Sequence, residues 1–202
     1  MKLRRTHLLL LCLCLCVVCL TGCTSTWITA VGAALPTLSA LVTAIATFIA
    51  ALAGKTVAQN VSDAIAKITA DVQAQITNVQ AIIAAYKATP NPTLLGEISA
   101  VLNAILANLA SILTGFSIVD SSTVARLAQL VGLGVAAVLA ILALVPLLVP
   151  GPGVGGIPEL SEAQKKTLGL HQSAFKATYN TIRTAPSGSV EVDAALATLK
   201  PM

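Results

Sequence analysis

All five cysteines of this 202-residue chain lie in one short stretch near its start, at Cys12, Cys14, Cys16, Cys19 and Cys23. Clustered thiols can coordinate zinc or an iron–sulfur cluster, pair as disulfides, or carry a covalent modification. Metal sites need loops or turns that aim several thiolates at one point, whereas the first four of these cysteines lie inside a continuous apolar run. That setting favours their interpretation as small hydrophobic residues without a shared ligand.

The residues around the cluster are typical of an export signal. Lys2, Arg4 and Arg5 precede an apolar run over residues 8–20, and a cationic start followed by about 7–15 apolar residues is the pattern of a secretory signal peptide. The run ends in the sequence LTGC at residues 20–23. This stretch resembles the lipobox of bacterial lipoproteins, in which an aliphatic residue and two small residues precede a cysteine.

The resemblance implies a defined fate for Cys23. Its thiol would take a diacylglycerol group, and cleavage before it would remove residues 1–22 and leave an acylated, palmitate-bearing Cys23 as the first residue. The other four cysteines would leave with the signal, so disulfides among them would not persist. Membrane lipid, bound through Cys23, is therefore the first expected partner, and the bacterial cell envelope is the expected location.

Loss of the signal also removes most of the basic excess. The chain has 12 Lys and Arg against 8 Asp and Glu, and without Lys2, Arg4 and Arg5 the balance is nine to eight. We therefore expect no nucleic-acid partner. The chain from Cys23 onward is long enough to form one domain with a hydrophobic core. Its small and aliphatic residues, with only six aromatics, favour close-packed helices over a β-sandwich.

Other patterns that could do chemistry give weak signals. The letters G-x-G-x-x-G occur at Gly151, Gly153 and Gly156, but the dinucleotide-binding fingerprint requires a preceding strand, and the segment here is too long for one. His171 is the only histidine after Cys23, so no second imidazole is present for a catalytic triad or a zinc site. The sequence therefore predicts no catalytic, cofactor-binding or metal-binding residues.

Two amphipathic helices are predicted over residues 56–88 and 93–114. The first carries a near-heptad apolar seam with one four-residue stutter, formed by Val61, Ile65, Ile68, Val72, Ile76, Val79, Ile83 and Tyr86. The second alternates steps of three and four, at Leu95, Ile98, Leu102, Ile105, Leu109 and Ile112. Asn91 followed by Pro92 is typical of an N-cap and a first helical residue. Because the connection is short, we expect an antiparallel hairpin.

Two further stretches carry no charge. Residues 24–54 have an aliphatic helical face over 38–52, with Pro36 expected near the helix start and Gly54 near its end. Residues 130–149 contain thirteen Leu, Ile or Val side chains and no strongly polar one. This segment is long enough to cross a bilayer, at about 20 residues per span. The same composition suits a helix buried at the centre of a bundle, and both interpretations stay open.

The predicted fold class is all-α: an elongated helical bundle with a long helical hairpin and one very apolar helix. The predicted divisions are the signal at 1–22, an anchored bundle at 23–150, a Gly/Pro linker at 151–160 and a C-terminal helical segment at 161–202. If 130–149 spans the membrane, the cations that flank it, Arg126, Lys165 and Lys166, favour a C-terminal region inside the cell.

The expected location within the envelope depends on that segment. Thr24, directly after the lipidated cysteine, indicates the outer membrane in enteric-type bacteria, whereas a span would hold the chain in the inner membrane, facing the periplasm. The favoured function is a non-catalytic structural or interaction role, through helix faces that bind another protein or a second copy. The alternative is a membrane-inserting protein, channel-forming or membrane-perturbing. Trp27 is placed either at the bilayer interface or in ordinary packing.

Overall fold

A computed structural model describes residues 26–143, 145 and 162–202, with backbone only at residues 26, 27, 29 and 162–171. The predicted signal peptide and the linker at 151–160 lie outside the described residues. Over the described residues the fold is all-α, as predicted. Its six helices are α1 (Thr26–Leu52), α2 (Gln59–Ala88), α3 (Pro92–Thr114), α4 (Ser121–Leu142), α5 (Glu162–Thr184) and α6 (Val190–Ala197).

Helices α1 to α4 form a four-helix bundle. Each helix packs against the next, and α4 returns to pack against α1. The hydroxyls of Thr56 and Thr123 are 3.0 Å apart, and the Leu41 side chain reaches the backbone of Gly134. Since position 56 pairs with 123 and position 41 with 134, α1 and α4 run in opposite directions. The connectivity is therefore up-down-up-down.

The predicted hairpin is formed by α2 and α3. All six residues of the α3 stripe are buried. Six of the eight α2 seam residues are buried as well, while Val61 and Ile68 are half-buried against the core. Burial of each such side chain stabilises the fold by roughly 1.5–3 kcal/mol before entropy is counted. The Asn108 amide donates to Gln75 Oε1 at 3.2 Å, which fixes the antiparallel register.

Local side-chain caps fix the starts of α3 and α4. The Asn91 side chain accepts a hydrogen bond from the Thr93 backbone N–H at 2.9 Å, with Pro92 as the first helical residue, as predicted. Asp120 accepts from the Thr123 N–H at 2.6 Å in the same way. Both caps satisfy donors that the first turn of a helix leaves unpaired.

The expectation that Pro36 lies near a helix start was wrong. Helix α1 begins at Thr26 and continues through Pro36, which stands in its interior. An interior proline costs a helix about 3 kcal/mol. Ile28, Val31 and Leu35, which precede Pro36 in α1, are buried in the core. Their burial offsets the cost of the interior proline.

The apolar segment predicted at 130–149 belongs to a helix with different bounds. Helix α4 begins at Ser121, where Asp120 caps it, and ends at Leu142. Three helical segments, rather than one, are long and apolar enough to cross a membrane: Ala30–Leu52, Pro92–Thr114 and Ser121–Leu142. The predicted segment began after Arg126, and the helix at 93–114 was predicted only as one half of an amphipathic hairpin, so the sequence indicated a single candidate span.

Helices α5 and α6 pack on the outside of the bundle. Helix α5 contacts α4 and α1, and α6 contacts α1 and α5. In the part of α5 whose side chains are described, Phe175, Tyr179 and Ile182 are buried, whereas Thr178 is exposed. A buried face therefore exists over the second half of the helix, and the C-terminal segment joins the same core as α1 to α4.

Candidate functional site

The alternating helix directions give the bundle two distinct ends. One end, here called the anchor end, holds the start of α1, the connection between α2 and α3, and the end of α4. The other, called the distal end, holds the loops at 53–58, 115–120 and 185–189. Cys23, the predicted lipidation site, lies outside the described residues, and α1 begins three residues after it. The sequence therefore leads into the bundle at its anchor end.

A buried arginine organises the distal end. Arg126 is only 9% exposed. Its Nη2 donates to the carbonyl oxygens of Ala185 at 2.8 Å and Pro186 at 2.6 Å, and its Nη1 donates to Gln129 Oε1 at 2.9 Å. An uncompensated buried charge is costly, and hydrogen bonds to oxygen acceptors reduce that cost. Arg126 therefore joins α4 to the loop between α5 and α6.

The loop at 185–189, whose carbonyl groups accept hydrogen bonds from Arg126, is stabilised by contacts of its own. Asp193 Oδ1 accepts a hydrogen bond from the Ser187 backbone N–H at 2.7 Å. Hydrogen bonding from Ser187 lowers the pKa of Asp193, and the nearby Arg126 charge lowers it further. Gly188 has a φ of 84°, a left-handed conformation that favours glycine. These contacts position the two carbonyl groups that receive the arginine.

Arg126 was predicted to flank a membrane span, and in the structure it is buried within the protein. It lies inside α4 and is in contact with the chain fifty-nine and sixty residues further on. In this packed state the start of α4 and the end of α5 are at the same end of the bundle. A lone arginine in a helix that has no other charged residue was the signal available in the sequence.

A second polar group joins α1 to α2. The Gln73 amide donates to the Ser39 carbonyl oxygen at 2.7 Å and to Thr43 Oγ1 at 3.0 Å, and the Ser39 hydroxyl donates to Gln73 Oε1 at 2.7 Å. Gln73 lies off the apolar seam of α2 and is half-buried. These hydrogen bonds satisfy the amide group of Gln73. They indicate a structural role, which is to join α1 to α2.

Exposed charge is distributed unevenly around the bundle. Helix α2 exposes Asp63, Lys67, Asp71 and Lys87. Over its described side chains α1 has no charged residue, while α3 has only Glu97 and α4 only the buried Arg126. The bundle therefore presents one charged face, on α2, beside faces made largely of alanine and other small residues.

Small residues permit close packing at one point in the core. A Cβ added at Gly134 would lie 3.2 Å from side-chain atoms of both Leu41 and Leu109, whereas one at Gly132 would meet nothing within 4 Å. Of these two glycines, only Gly134 therefore allows a close approach of neighbouring helices. Three helices, α1, α3 and α4, meet there.

The remaining candidate residues lie where the structure describes no side chain. His171 lies in α5 and Trp27 in α1, and the side chain of neither is described. The glycines at 151, 153 and 156 fall outside the described range. Among the described residues, no group of three or more His, Cys, Asp or Glu could hold a metal ion.

Known proteins offer no direct guide to this chain. No family model, curated protein or solved structure matches it. The features that remain to be explained are the two dissimilar ends, the charged face of α2 and the three apolar helices. Any assignment must account for all of them together.

Proposed function

We propose that this protein is a lipid-anchored component of the bacterial cell envelope, without catalytic activity, whose helical bundle has a structural or interaction role. The observation that carries the proposal is the exposed charge on α2. Asp63, Lys67 and Asp71 point out of the bundle, and a charged side chain at the centre of a bilayer costs roughly 2.5–3.5 kcal/mol on insertion scales. The packed bundle is therefore suited to water beside a membrane.

The proposed anchor fits the direction of α1. Two residues lie between Cys23 and Thr26, so the three residue-to-residue steps can span at most about 10 Å. Acyl chains on Cys23 would thus hold the anchor end close to the lipid. Helix α1, with 27 residues, would then place the distal end about 40 Å away at 1.5 Å per residue.

The distal end has features that suit a protein partner. Five large hydrophobic residues are exposed in the described part of the chain, and four of them, Leu113, Val119, Val124 and Val190, lie in or next to the distal loops. Val119 and Val190 are 96% and 81% exposed. Such side chains, beside polar groups, are typical of a binding surface for another protein or for a second copy of this chain.

A second candidate function has an observation of its own. Three helical segments of 22 or 23 residues are apolar enough to cross a membrane, and half or less of the most apolar part of each is buried inside the bundle. These proportions favour membrane association beyond the lipid anchor, as in a membrane-inserting protein. Insertion would require α1, α3 or α4 to leave its packed position, because α2 cannot follow without burying its charges.

The anchor is tested by metabolic labelling. Cells that express Cys23→Ser should incorporate no labelled palmitate into the chain and should retain the uncleaved precursor. Cys19→Ser, a matched change inside the apolar run, should label and mature normally. Normal palmitate incorporation by Cys23→Ser would refute the anchor.

The two candidate functions are separated by carbonate extraction. The tested form carries Cys23→Ala behind an export signal that is cleaved by another route. Release of this form into the soluble fraction supports a bundle held at the membrane only by lipid. Retention in the pellet supports helices that enter the bilayer by themselves.

A further inference from the structure

The two most apolar helices share a polar cover. Residues 162–202, here called the C-terminal hairpin, pack across α1 and α4, which have a higher mean hydropathy than α3. The hairpin contributes seven buried side chains to the core: Phe175, Tyr179, Ile182, Val192, Ala195, Leu196 and Leu199. Its outer side exposes Lys176, Glu191 and Lys200. It therefore replaces an apolar surface by a charged one.

The tip of this cover is fastened by one side chain. Arg126 is the only charged residue of α4, and its Nη2 is bonded to two carbonyl oxygens in the loop of the hairpin. The other end of the hairpin closes on itself, because the Tyr179 hydroxyl donates to the Lys200 carbonyl oxygen and Asn180 pairs with Met202. The hairpin can therefore keep its own contacts when the Arg126 contact is broken.

The covered state and a membrane-spanning α4 exclude each other. In the packed bundle Arg126 and Ala185 are in contact, so the hairpin lies along α4 and cannot stand on the opposite side of a bilayer. Once the hairpin has moved away, α4 presents an uncharged surface from residue 127 to residue 142. Arg126 is close to the helix start, where a long cationic side chain can reach the lipid–water interface.

We propose that the C-terminal hairpin is a releasable cover, fastened by Arg126, that keeps α1 and α4 out of the bilayer until it detaches. This inference rests on the membrane association in the proposed function and adds its regulation. The occupant of the uncovered surface is the hydrocarbon of the membrane to which the chain is anchored. The seven buried side chains also hold the hairpin on the bundle, and loss of the Arg126 contact shifts the equilibrium toward the detached state by about 10- to 150-fold.

The test compares Arg126→Met with Lys176→Met, which removes one exposed positive charge from the hairpin without touching the fastening. Each is placed in a full chain that carries either Ala136→Cys on the outer face of α4 or Gln80→Cys on α2; both residues are exposed. Washed membranes are treated with a membrane-impermeant maleimide. The parent chain without an added cysteine supplies the background, and hydrogen exchange reports opening of residues 172–199.

The inference predicts three results together. Arg126→Met should speed exchange in the hairpin by about 10- to 150-fold, reduce labelling at position 136 severalfold and leave labelling at position 80 unchanged. Lys176→Met should behave as the parent. Leu109→Ala serves as the control for general destabilisation, because it loosens the core without touching the hairpin. At a melting temperature similar to that of Arg126→Met, it should leave position 136 labelled as in the parent.

Three results would overturn the inference. They are unchanged hairpin exchange in Arg126→Met, equal labelling at position 136 in every variant, or an equal loss of labelling in Leu109→Ala. Recovery of the parent chain in the supernatant, away from the membranes, would instead contradict the proposed function, and the inference with it. The location of the parent chain therefore distinguishes the two failures.

Discussion

Arg126 Nη2 lies 2.6 Å from the carbonyl oxygen of Pro186, sixty residues further along the chain. The same nitrogen bonds the Ala185 carbonyl oxygen, and Nη1 bonds Gln129. A guanidinium can serve three acceptors in a fixed fork, whereas an ammonium is a single point. This side chain therefore determines where the C-terminal hairpin is attached.

Replacement of Arg126 by lysine should lower stability although the charge is kept. We expect Arg126→Lys to reduce the free energy of unfolding by about 1.5–3 kcal/mol, the value of a hydrogen bond to a charged group. Urea unfolding would measure the change. Lys176→Arg, an exchange of the same two residue types at an exposed position, should leave the midpoint within error, and equal shifts would contradict the assigned role.

The seam between α2 and α3 is tested by a pair of aspartates. Ile105 is completely buried, while Asn103 is exposed two residues before it. Ile105→Asp should cost about 4 kcal/mol or more, or prevent folding, because it places an unpaired charge in the core. Asn103→Asp should change stability by less than about 0.5 kcal/mol. Melting curves followed by circular dichroism would decide, and similar shifts would mean that the wrong face was assigned.

Two glycines of α4 should respond to larger side chains with opposite sign. Gly134→Val would push new methyl groups against Leu41 and Leu109, already 3.2 Å from an added Cβ, and should cost about 1–3 kcal/mol. Gly132→Ala meets open space and should gain about 0.5–1 kcal/mol by helix propensity. Denaturant midpoints measure both. Destabilisation by Gly132→Ala would show that this face has a neighbour.

The cap of α4 should give stability a defined dependence on pH. Hydrogen bonds from the Thr123 side chain and backbone lower the pKa of Asp120. A lowered folded-state pKa adds stability that is present well above about pH 4, the ordinary aspartate value, and lost as the pH falls through the folded value. Asp120→Asn keeps a cap without a charge. The variant should be less stable at neutral pH, and the difference should vanish toward low pH; a difference constant with pH would exclude this role.

The sequence was sufficient to predict the fold class and the antiparallel hairpin of α2 and α3, because both depend on apolar residues that recur with the helical repeat and become buried. Ile98, Leu102 and Ile105 follow the helical repeat and are all buried as predicted. The cap at Asn91 was predictable for a similar reason, since it uses neighbours in the chain.

Contacts between distant residues were not predictable in this way. The partners of Arg126 are carbonyl groups of the main chain, which carry no residue-type signal, and the partners of Gln73 are thirty or more residues away. Pro36 was misplaced because a local rule for proline is overridden by the burial of the residues that precede it. The grouping of the loops at 53–58, 115–120 and 185–189 at one end of the bundle depends on the directions of the helices, which the sequence pattern does not give for all of them.

The start of α4 and the second half of α5 should lie on the same side of the membrane. A single span at 130–149 would place residues 121 and 178 in different compartments, with the C-terminal region inside. The packed bundle instead keeps α4 and α5 in contact, with both Ser121 and Thr178 exposed to solvent. We expect the packed arrangement to prevail in the parent chain, because Arg126 loses its acceptors in any other.

The measurement uses Ser121→Cys and Thr178→Cys separately, in spheroplasts treated with an impermeant maleimide. Both should be labelled before permeabilisation, to the same extent as Gln80→Cys on the charged face of α2, while a cytosolic marker protein stays unlabelled. Acylation should keep Cys23 silent, as the parent chain would show. Labelling of Ser121→Cys alone, with Thr178→Cys reacting only after permeabilisation, would establish the single span, because no packed bundle can place these two positions on opposite sides of a bilayer.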